Sequence, residues 1–207
     1  MKRWIGAALA LLALALLLSA CRQEEDPYAG VPNPVATITM TDGRVMRAEL
    51  FPREAPDTVG NFIELCQRGF FDGQPFFRVV TGYFIQTGDP RGDGTGGPGY
   101  AIRGEFRKNG VNNQLAHTRG TLSMARLGEY DSAGSQFFIV QRSIPEYDGE
   151  YAAFGRLTDE ESLTTLDAIA AVATDANRSP LVAQTIRSIR VDTHGYEFPF
   201  EKIEPEK

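Results

Sequence analysis

From Val35 to Val191 the apolar residues fall into short runs broken by glycine, proline, asparagine and aspartate, and only two stretches carry a helical period. This punctuation limits what the chain can fold into. Ala36, Ile38 and Met40 alternate with threonines, and Met46, Ala48 and Leu50 alternate after Thr41-Asp42-Gly43-Arg44. The Asp-Gly pair suits the positive φ angles of a tight hairpin turn. Further strands are predicted at 76–86, 121–127, 136–141, 152–157 and 186–191 from their aromatic and β-branched content. Val59, Phe62, Ile63 and Cys66 mark one helix, capped by Asp57 or Thr58 and ended by Gly69. Leu163, Leu166, Ile169 and Ala170 mark the second. Many turns agree with 21 glycines and 12 prolines, and an aromatic core with 13 Phe and 7 Tyr. The expectation is a mainly β domain, barrel or sandwich, with two helices.

The ends read differently. Lys2 and Arg3 precede an apolar run from Ile5 to Leu18, short of the about 20 residues that a bilayer span needs. The run closes on Leu18-Ser19-Ala20-Cys21, which resembles the lipobox of bacterial lipoprotein signals. That resemblance implies cleavage before Cys21 and acylation of its sulfur, hence an extracytoplasmic protein lipid-anchored to a bacterial membrane. Arg22, in place of aspartate after the cysteine, is compatible with outer-membrane sorting in a two-membrane cell. The division expected is a signal peptide over 1–20, a lipidated cysteine and flexible tether over 21–34, a folded body over 35–192 and a charged tail over 193–207. The tail, charged and interrupted by prolines, is expected to pack loosely or fray. Loss of Lys2 and Arg3 leaves 19 basic against 27 acidic residues, a charge of about −8. No basic cluster lies outside the extreme N-terminus, which excludes a nucleic-acid surface. Cys66 then has no partner cysteine and reads as a small buried apolar residue.

Most catalytic kits are missing. The only histidines are His117 and His194, without metal-ligand spacing, and there is no nucleophile elbow or P-loop. Neither metal nor cofactor is expected. The glycine-rich run Arg91–Tyr100 lacks a phosphate-binding lysine and a following helix, so it reads as a structured loop; the Arg91-Gly92-Asp93 tripeptide within it carries no weight. His117 reads as a buried structural histidine. What remains is an apolar and aromatic set with few polar groups, namely Arg78, Gln86 and Gln136. One chemistry that needs no nucleophile, base or metal is rotation about an X–Pro bond. Its barrier of about 18–20 kcal/mol comes from amide resonance. An apolar pocket can hold the proline ring while a fixed guanidinium hydrogen-bonds the amide and favours the state with broken conjugation.

The segments "FFRVVTGYFIQTGD", "GTGGPGY", "HTRGTLSMAR", "SAGSQFFIV" and "YDGEYAAFG" stand in order between Val35 and Val191. Together they resemble the cyclophilin-type peptidyl-prolyl isomerases. The resemblance implies a closed eight-stranded antiparallel β-barrel capped by two α-helices. It implies that Arg78 is the catalytic arginine and Gln86 the glutamine that bonds both this arginine and the substrate backbone. Phe84 stands where the family usually has methionine, Phe138 at the pocket floor, and Tyr83 at a common phenylalanine. Ala125, Arg126 and Gln136 match positions that pair with the peptide before the proline, and Tyr147 and Tyr151 the pocket rim. Phe77 replaces a histidine that often precedes the arginine. Glu146 replaces the tryptophan of cyclosporin-sensitive members, so sensitivity to that drug is not expected.

The reading is therefore a peptidyl-prolyl cis-trans isomerase that binds proline-containing polypeptides and assists exported proteins, expected as a monomer. The rival is a non-catalytic chaperone or scaffold that holds proline-containing loops in the same pocket; the presence of both Arg78 and Gln86 favours the enzyme. A transporter's solute-binding lipoprotein would need more chain and repeated βαβ patterns, neither of which is visible.

Overall fold

The structure, a computed structural model, describes residues 27–204. The expected signal peptide with its lipobox-like end, Cys21 and residues 22–26 of the expected tether lie outside them. Among the described residues no helix is long and apolar enough to cross a membrane. The architecture below is that of the compact unit beginning at Val31.

Eight strands, β1 (Val35–Met40), β2 (Val45–Leu50), β3 (Arg78–Val80), β4 (Phe84–Thr87), β5 (Thr121–Met124), β6 (Phe137–Val140), β7 (Ala153–Leu157) and β8 (Ile186–Asp192), form one sheet. Its order is β3-β4-β6-β5-β7-β2-β1-β8, and every neighbouring pair is antiparallel. The alternation read in the first hairpin is real, since both strands bury every second residue. Gly43 supplies the positive φ of the turn at +93°.

The expected closed barrel is corrected by the ends of this order. The sheet is a curled half-barrel whose edge strands, β3 and β8, form no ladder with each other. Just before them, a single bridge joins Pro75 to Thr185. Three backbone bonds tack the same two segments together, from Gly73 N to Ile186 O, Phe76 N to Gln184 O and Ile186 N to Gln74 O, each 2.9 Å. Pro75 has no N–H to donate, and β3 is three residues long, so pairing cannot propagate.

Two helices, α1 (Pro56–Gln67) and α2 (Glu160–Ala170), accompany the sheet. Asp159 caps α2 by accepting the Ser162 N–H at 2.8 Å. The α1 terminus departs from expectation: neither Asp57 nor Thr58 caps it. Glu105, far along the chain and 3% exposed, accepts the N–H groups of Asp57 and Thr58 at 3.1 and 2.8 Å. Burial raises the Glu105 pKa, while those hydrogen bonds pull against it. Gly69, at φ +66°, turns the chain out of α1 as read from the sequence. The core beneath α1 is aromatic, with Phe62, Phe71, Phe137 and Phe154 almost wholly buried and Phe62 within 5.4 Å of the other three ring centroids. Cys66 is buried beside them, and its burial pushes the thiol pKa well up.

The C-terminal tail does not fray through residue 204. Phe198 is buried, Lys202 Nζ meets Glu64 Oε1 at 2.9 Å, and Ile203 exchanges backbone bonds with Ala101 at 2.8 and 2.9 Å.

Candidate active site

The stretch read as one strand over 76–86 is a hairpin, β3 and β4 joined by Thr81–Tyr83 with Gly82 at φ +83°. This turn makes the site. It sets Arg78 directly across from Gln86, and the Arg78 Nη1 donates to Gln86 Oε1 at 3.2 Å. Gln86 pairs in turn with Phe138 on β6, and Phe138 with Ser123 on β5. Four strands therefore place the polar pair beside the phenylalanine with a fixed register.

Phe84, Phe138, Val140 and Ile144 form a buried apolar cluster, with Val80, Ala125, Tyr147 and Tyr151 packed on it. The Phe84 and Phe138 ring centroids are 5.2 Å apart, and Phe138 meets Tyr147 and Tyr151 edge-on at 5.9 Å each. The Arg78 guanidinium carbon lies 5.2 Å from the Phe84 ring centroid. Arg78 is half-buried, and among the described residues no carboxylate pairs with it. A guanidinium sharing a bond with a neutral amide, over an aromatic ring, keeps donors available for an incoming carbonyl or amide nitrogen.

Gln86 is held from both sides. Its Nε2 donates to Gln136 Oε1 at 3.0 Å, and Gln136 Nε2 donates to the carbonyls of Gly94 and Gly96 at 3.0 and 2.9 Å. This relay orients each amide, because every acceptor in it faces a donor. It also ties the site to the glycine-rich loop, which is structured as expected. Sequence reading did not single out the loop's organiser, Asp89. Fully buried, its carboxylate accepts the N–H groups of Arg91, Asp93 and Gly94. A β-carbon on Gly96 would fall 2.0 Å from Asp89 Oδ1, so only glycine fits there.

Behind the floor lies His117, 1% exposed and stacked on Phe138 at 6.0 Å. Asp148 Oδ1 accepts from the His117 backbone N–H at 2.7 Å and faces Nδ1 at 3.0 Å. A carboxylate only accepts, so Nδ1 carries the proton and Nε2 is left to accept from Ser123 Oγ at 2.8 Å. Burial lowers the His117 pKa against the opposing pull of Asp148, which keeps the ring neutral. The structural role read for His117 is consistent with this placement.

Of the residues nominated from the sequence, Arg78, Gln86, Phe84, Gln136, Phe138, Ala125, Tyr147 and Tyr151 are brought together. Tyr83 is 50% exposed on the hairpin turn, outside the ring cluster. The Arg126 side chain is held at the border of the cluster, against Tyr151 and rings outside it. Its guanidinium carbon sits 5.2, 5.2 and 4.9 Å from the Phe106, Tyr130 and Tyr151 rings, and it donates to the carbonyls of Glu150 and Leu127. Among the described residues no cluster of histidine, cysteine, aspartate or glutamate has the geometry to hold a metal.

A curled antiparallel sheet with a ring-lined cup, one guanidinium at its edge and an amide relay beside it defines the type of site. Comparison with known proteins agrees. The family model described as cyclophilin type peptidyl-prolyl cis-trans isomerase/CLD matches residues 35–191, and the chain belongs to that family. It is 43% identical over 134 residues to a peptidyl-prolyl cis-trans isomerase of Helicobacter pylori, covering 65% of this chain and 78% of that one. It is 45% identical over 119 residues to peptidyl-prolyl cis-trans isomerase B of Bacillus subtilis, covering 58% and 80%. A cyclophilin type peptidyl-prolyl cis-trans isomerase of Cryptosporidium parvum superposes with a TM-score of 0.68 at 32% identity, over 77% of this chain and 98% of that chain. The same protein, in a structure described as in the presence of the dipeptide Ala-Pro, superposes with a TM-score of 0.67.

Proposed function

We propose that this peptidyl-prolyl cis-trans isomerase acts from a bacterial membrane, anchored by lipid at Cys21, on proline-containing segments of exported proteins. Its chemistry is assigned to Arg78, with Gln86 as its orienting partner and Phe138, Phe84, Tyr147 and Tyr151 as the cup for the proline ring. The observation that carries this is the guanidinium beside an apolar cup, bonded to an amide and unpaired with any described carboxylate. A structural arginine would be expected to end on a carboxylate.

The mechanism follows from that geometry. The cup removes the proline ring from water and fixes one side of the X–Pro bond. The Arg78 donors face the amide, whose nitrogen gains lone-pair character as conjugation breaks, so the hydrogen bond strengthens on rotation. Interactions stronger in the transition state than in the ground state are those that speed a reaction. Shortening tens of seconds to milliseconds requires about 10⁴-fold, or about 5.5 kcal/mol. A few fixed donors in a site sheltered from water supply energies of that order. Gln86, held by Gln136, keeps the guanidinium from swinging away between turnovers. No proton is transferred.

The test is cis-to-trans exchange of a short Xaa-Pro peptide, followed by NMR with a soluble form beginning after Cys21. Acceleration that Arg78→Ala removes supports the assignment. Shifted peptide resonances without acceleration would instead make the pocket a holder, the chaperone reading. The anchor is tested by mass: the mature chain should begin at an acylated Cys21, and Cys21→Ala should leave it in the soluble fraction. An unmodified Cys21 in mature protein would remove the membrane from the proposal.

A further inference from the structure

Gln86, Gln136 and Ala125, which belong to the site described above, also line a groove with a cavity volume of about 610 Å3. One wall is the glycine-rich loop and Ala101; another is Ala125 to Leu127. The third comes from the last described residues of the chain, Ile203 and Glu204. Leu127 is 70% exposed and Ile203 41%, so two of the large apolar side chains left open to solvent face one groove. Scattered exposed apolar residues need no explanation, but a pair lining a cleft that continues a binding site does.

The tail is built into this place. Ile203 and Ala101 exchange both backbone bonds. Lys202 pairs with Glu64 and lies 4.7 Å from the Tyr100 ring centroid. Glu201 N donates to Asp57 Oδ1 at 3.0 Å, which fastens the tail to the start of α1. Halfway along that helix, a β-carbon on Gly60 would lie 2.6 Å from the Phe198 carbonyl oxygen. Helix interiors favour alanine over glycine by about 1 kcal/mol, so a glycine here serves the close approach of the tail.

We propose that this tail is part of the substrate site, and that Ile203 and Leu127 select proline-containing chains with an apolar side chain within a few residues of the proline. The proposal rests on the isomerase reading above and extends it. Gln86 and Gln136 border both cup and groove, so a peptide seated in one continues into the other. Charge does not decide the selection. Arg91 and Glu204 carry opposite signs on the groove, and the Arg126 guanidinium is engaged by carbonyls and rings. Apolar contact with Leu127 and Ile203 is what remains.

The experiment uses the full chain and peptides of eight residues, identical except for leucine or aspartate placed in turn at each of three positions before the proline. NMR exchange gives kcat/KM for each. The full chain is expected to prefer leucine by about tenfold at one position, in the range one apolar pocket provides. Ile203→Asp should bring that ratio close to one. Ile203→Ser, milder in its effect on the tail, should lower it in the same direction. Gly60→Ala, which displaces the tail from a distance, should lower the ratio while leaving the rate on a four-residue Xaa-Pro peptide within twofold. Absence of any leucine preference in the full chain, or a preference untouched by both Ile203 variants, overturns the proposal. Failure of the full chain to accelerate even the four-residue peptide overturns the isomerase reading itself, and this proposal with it.

Discussion

Phe137 and Phe138 are neighbours on β6, 0% and 3% exposed, yet they face opposite sides of the sheet and serve different ends. Phe137 looks into the core, with Phe62 at 5.4 Å, Phe71 at 5.6 Å and Phe154 at 6.3 Å. Its near neighbours are rings that carry no polar atom. Phe138 looks into the cup, where its neighbours are Phe84, two tyrosines and a histidine, with Gln86 paired to it across the ladder. Equal burial hides the difference. The core side meets only rings, whereas the rings on the other side pack beside polar groups, Arg78 over Phe84 and Gln86 across the ladder from Phe138.

The largest effect should fall on the core side. Phe137→Ala removes a fully enclosed ring and is expected to cost about 3–5 kcal/mol of stability. Chemical denaturation measures this, and kcat/KM per folded molecule should stay near that of the parent. Phe138→Ala, at a ring only 3% exposed, should also cost stability but should differ in activity, with a fall of about 10- to 100-fold in kcat/KM. Equal effects of both changes on activity and stability would break the comparison.

Arg78→Ala sharpens it within the cup. The expected loss is about 100-fold or more in kcat/KM, about 2.7 kcal/mol of transition-state stabilisation. The melting temperature should hardly move, since Arg78 is half-buried and makes one shared hydrogen bond. Arg78→Lys should not restore the rate, because an ammonium lacks the planar fork that can serve Gln86 and an amide together. Full activity in the lysine variant would mean that charge alone suffices.

Next in size is the distant helix cap. Glu105→Ala leaves the N–H groups of Asp57 and Thr58 without acceptors at a buried helix start, a cost of about 1–3 kcal/mol. Glu105→Gln retains one acceptor oxygen and should recover part of it. Both variants should keep the parent's kcat/KM on short peptides, as the cap lies outside the cup. Denaturation curves for the pair settle whether the carboxylate or merely its volume is needed.

This cap also shows where a sequence stops being legible. The strand periods, the Asp42-Gly43 turn and the end of α1 at Gly69 are local, and local pattern revealed them. The acceptors for the α1 terminus come from Glu105, about fifty residues away, and no spacing rule points to it. The hairpin in 76–86 was missed for another reason. Aromatic and β-branched residues run through its turn, and Gly82 alone is weak punctuation, although it fixes Arg78 opposite Gln86. Arg126 shows the converse. Its position matches a peptide-binding strand, but its side chain is held by Phe106, Tyr130 and Tyr151, rings dispersed in sequence of which only Tyr151 belongs to the site. Whether the barrel closes was beyond the strand count as well, since that depends on two short segments before β3 and β8. Arg78, Gln86 and Gln136 stand out in the sequence as the few polar groups among rings, whereas Phe84, Phe138, Ala125, Tyr147 and Tyr151 are placed only by resemblance to the cyclophilin-type isomerases.

The smallest effect concerns the wall between the two faces. His117 lies beneath Phe138, and burial sets its pKa below the ordinary value near 6.5. Because the folded state prefers the neutral ring, the His117 contribution to stability is present above that value and is lost as pH falls toward the folded pKa. Protonation would add a hydrogen to Nε2, which now accepts from Ser123 Oγ, and a charge beneath the ring floor. Glu105 works in the opposite sense: its raised pKa favours the fold at low pH and loses that contribution as pH rises through the folded value. Melting temperatures between pH 7.5 and 5 should therefore be compared in the Glu105→Gln background, where the carboxylate no longer titrates. There, stability should decline on acidification, and adding His117→Asn should flatten the decline. A decline of the same slope in both would place the titrating group elsewhere and leave Phe138 resting on a ring whose charge the fold does not sense.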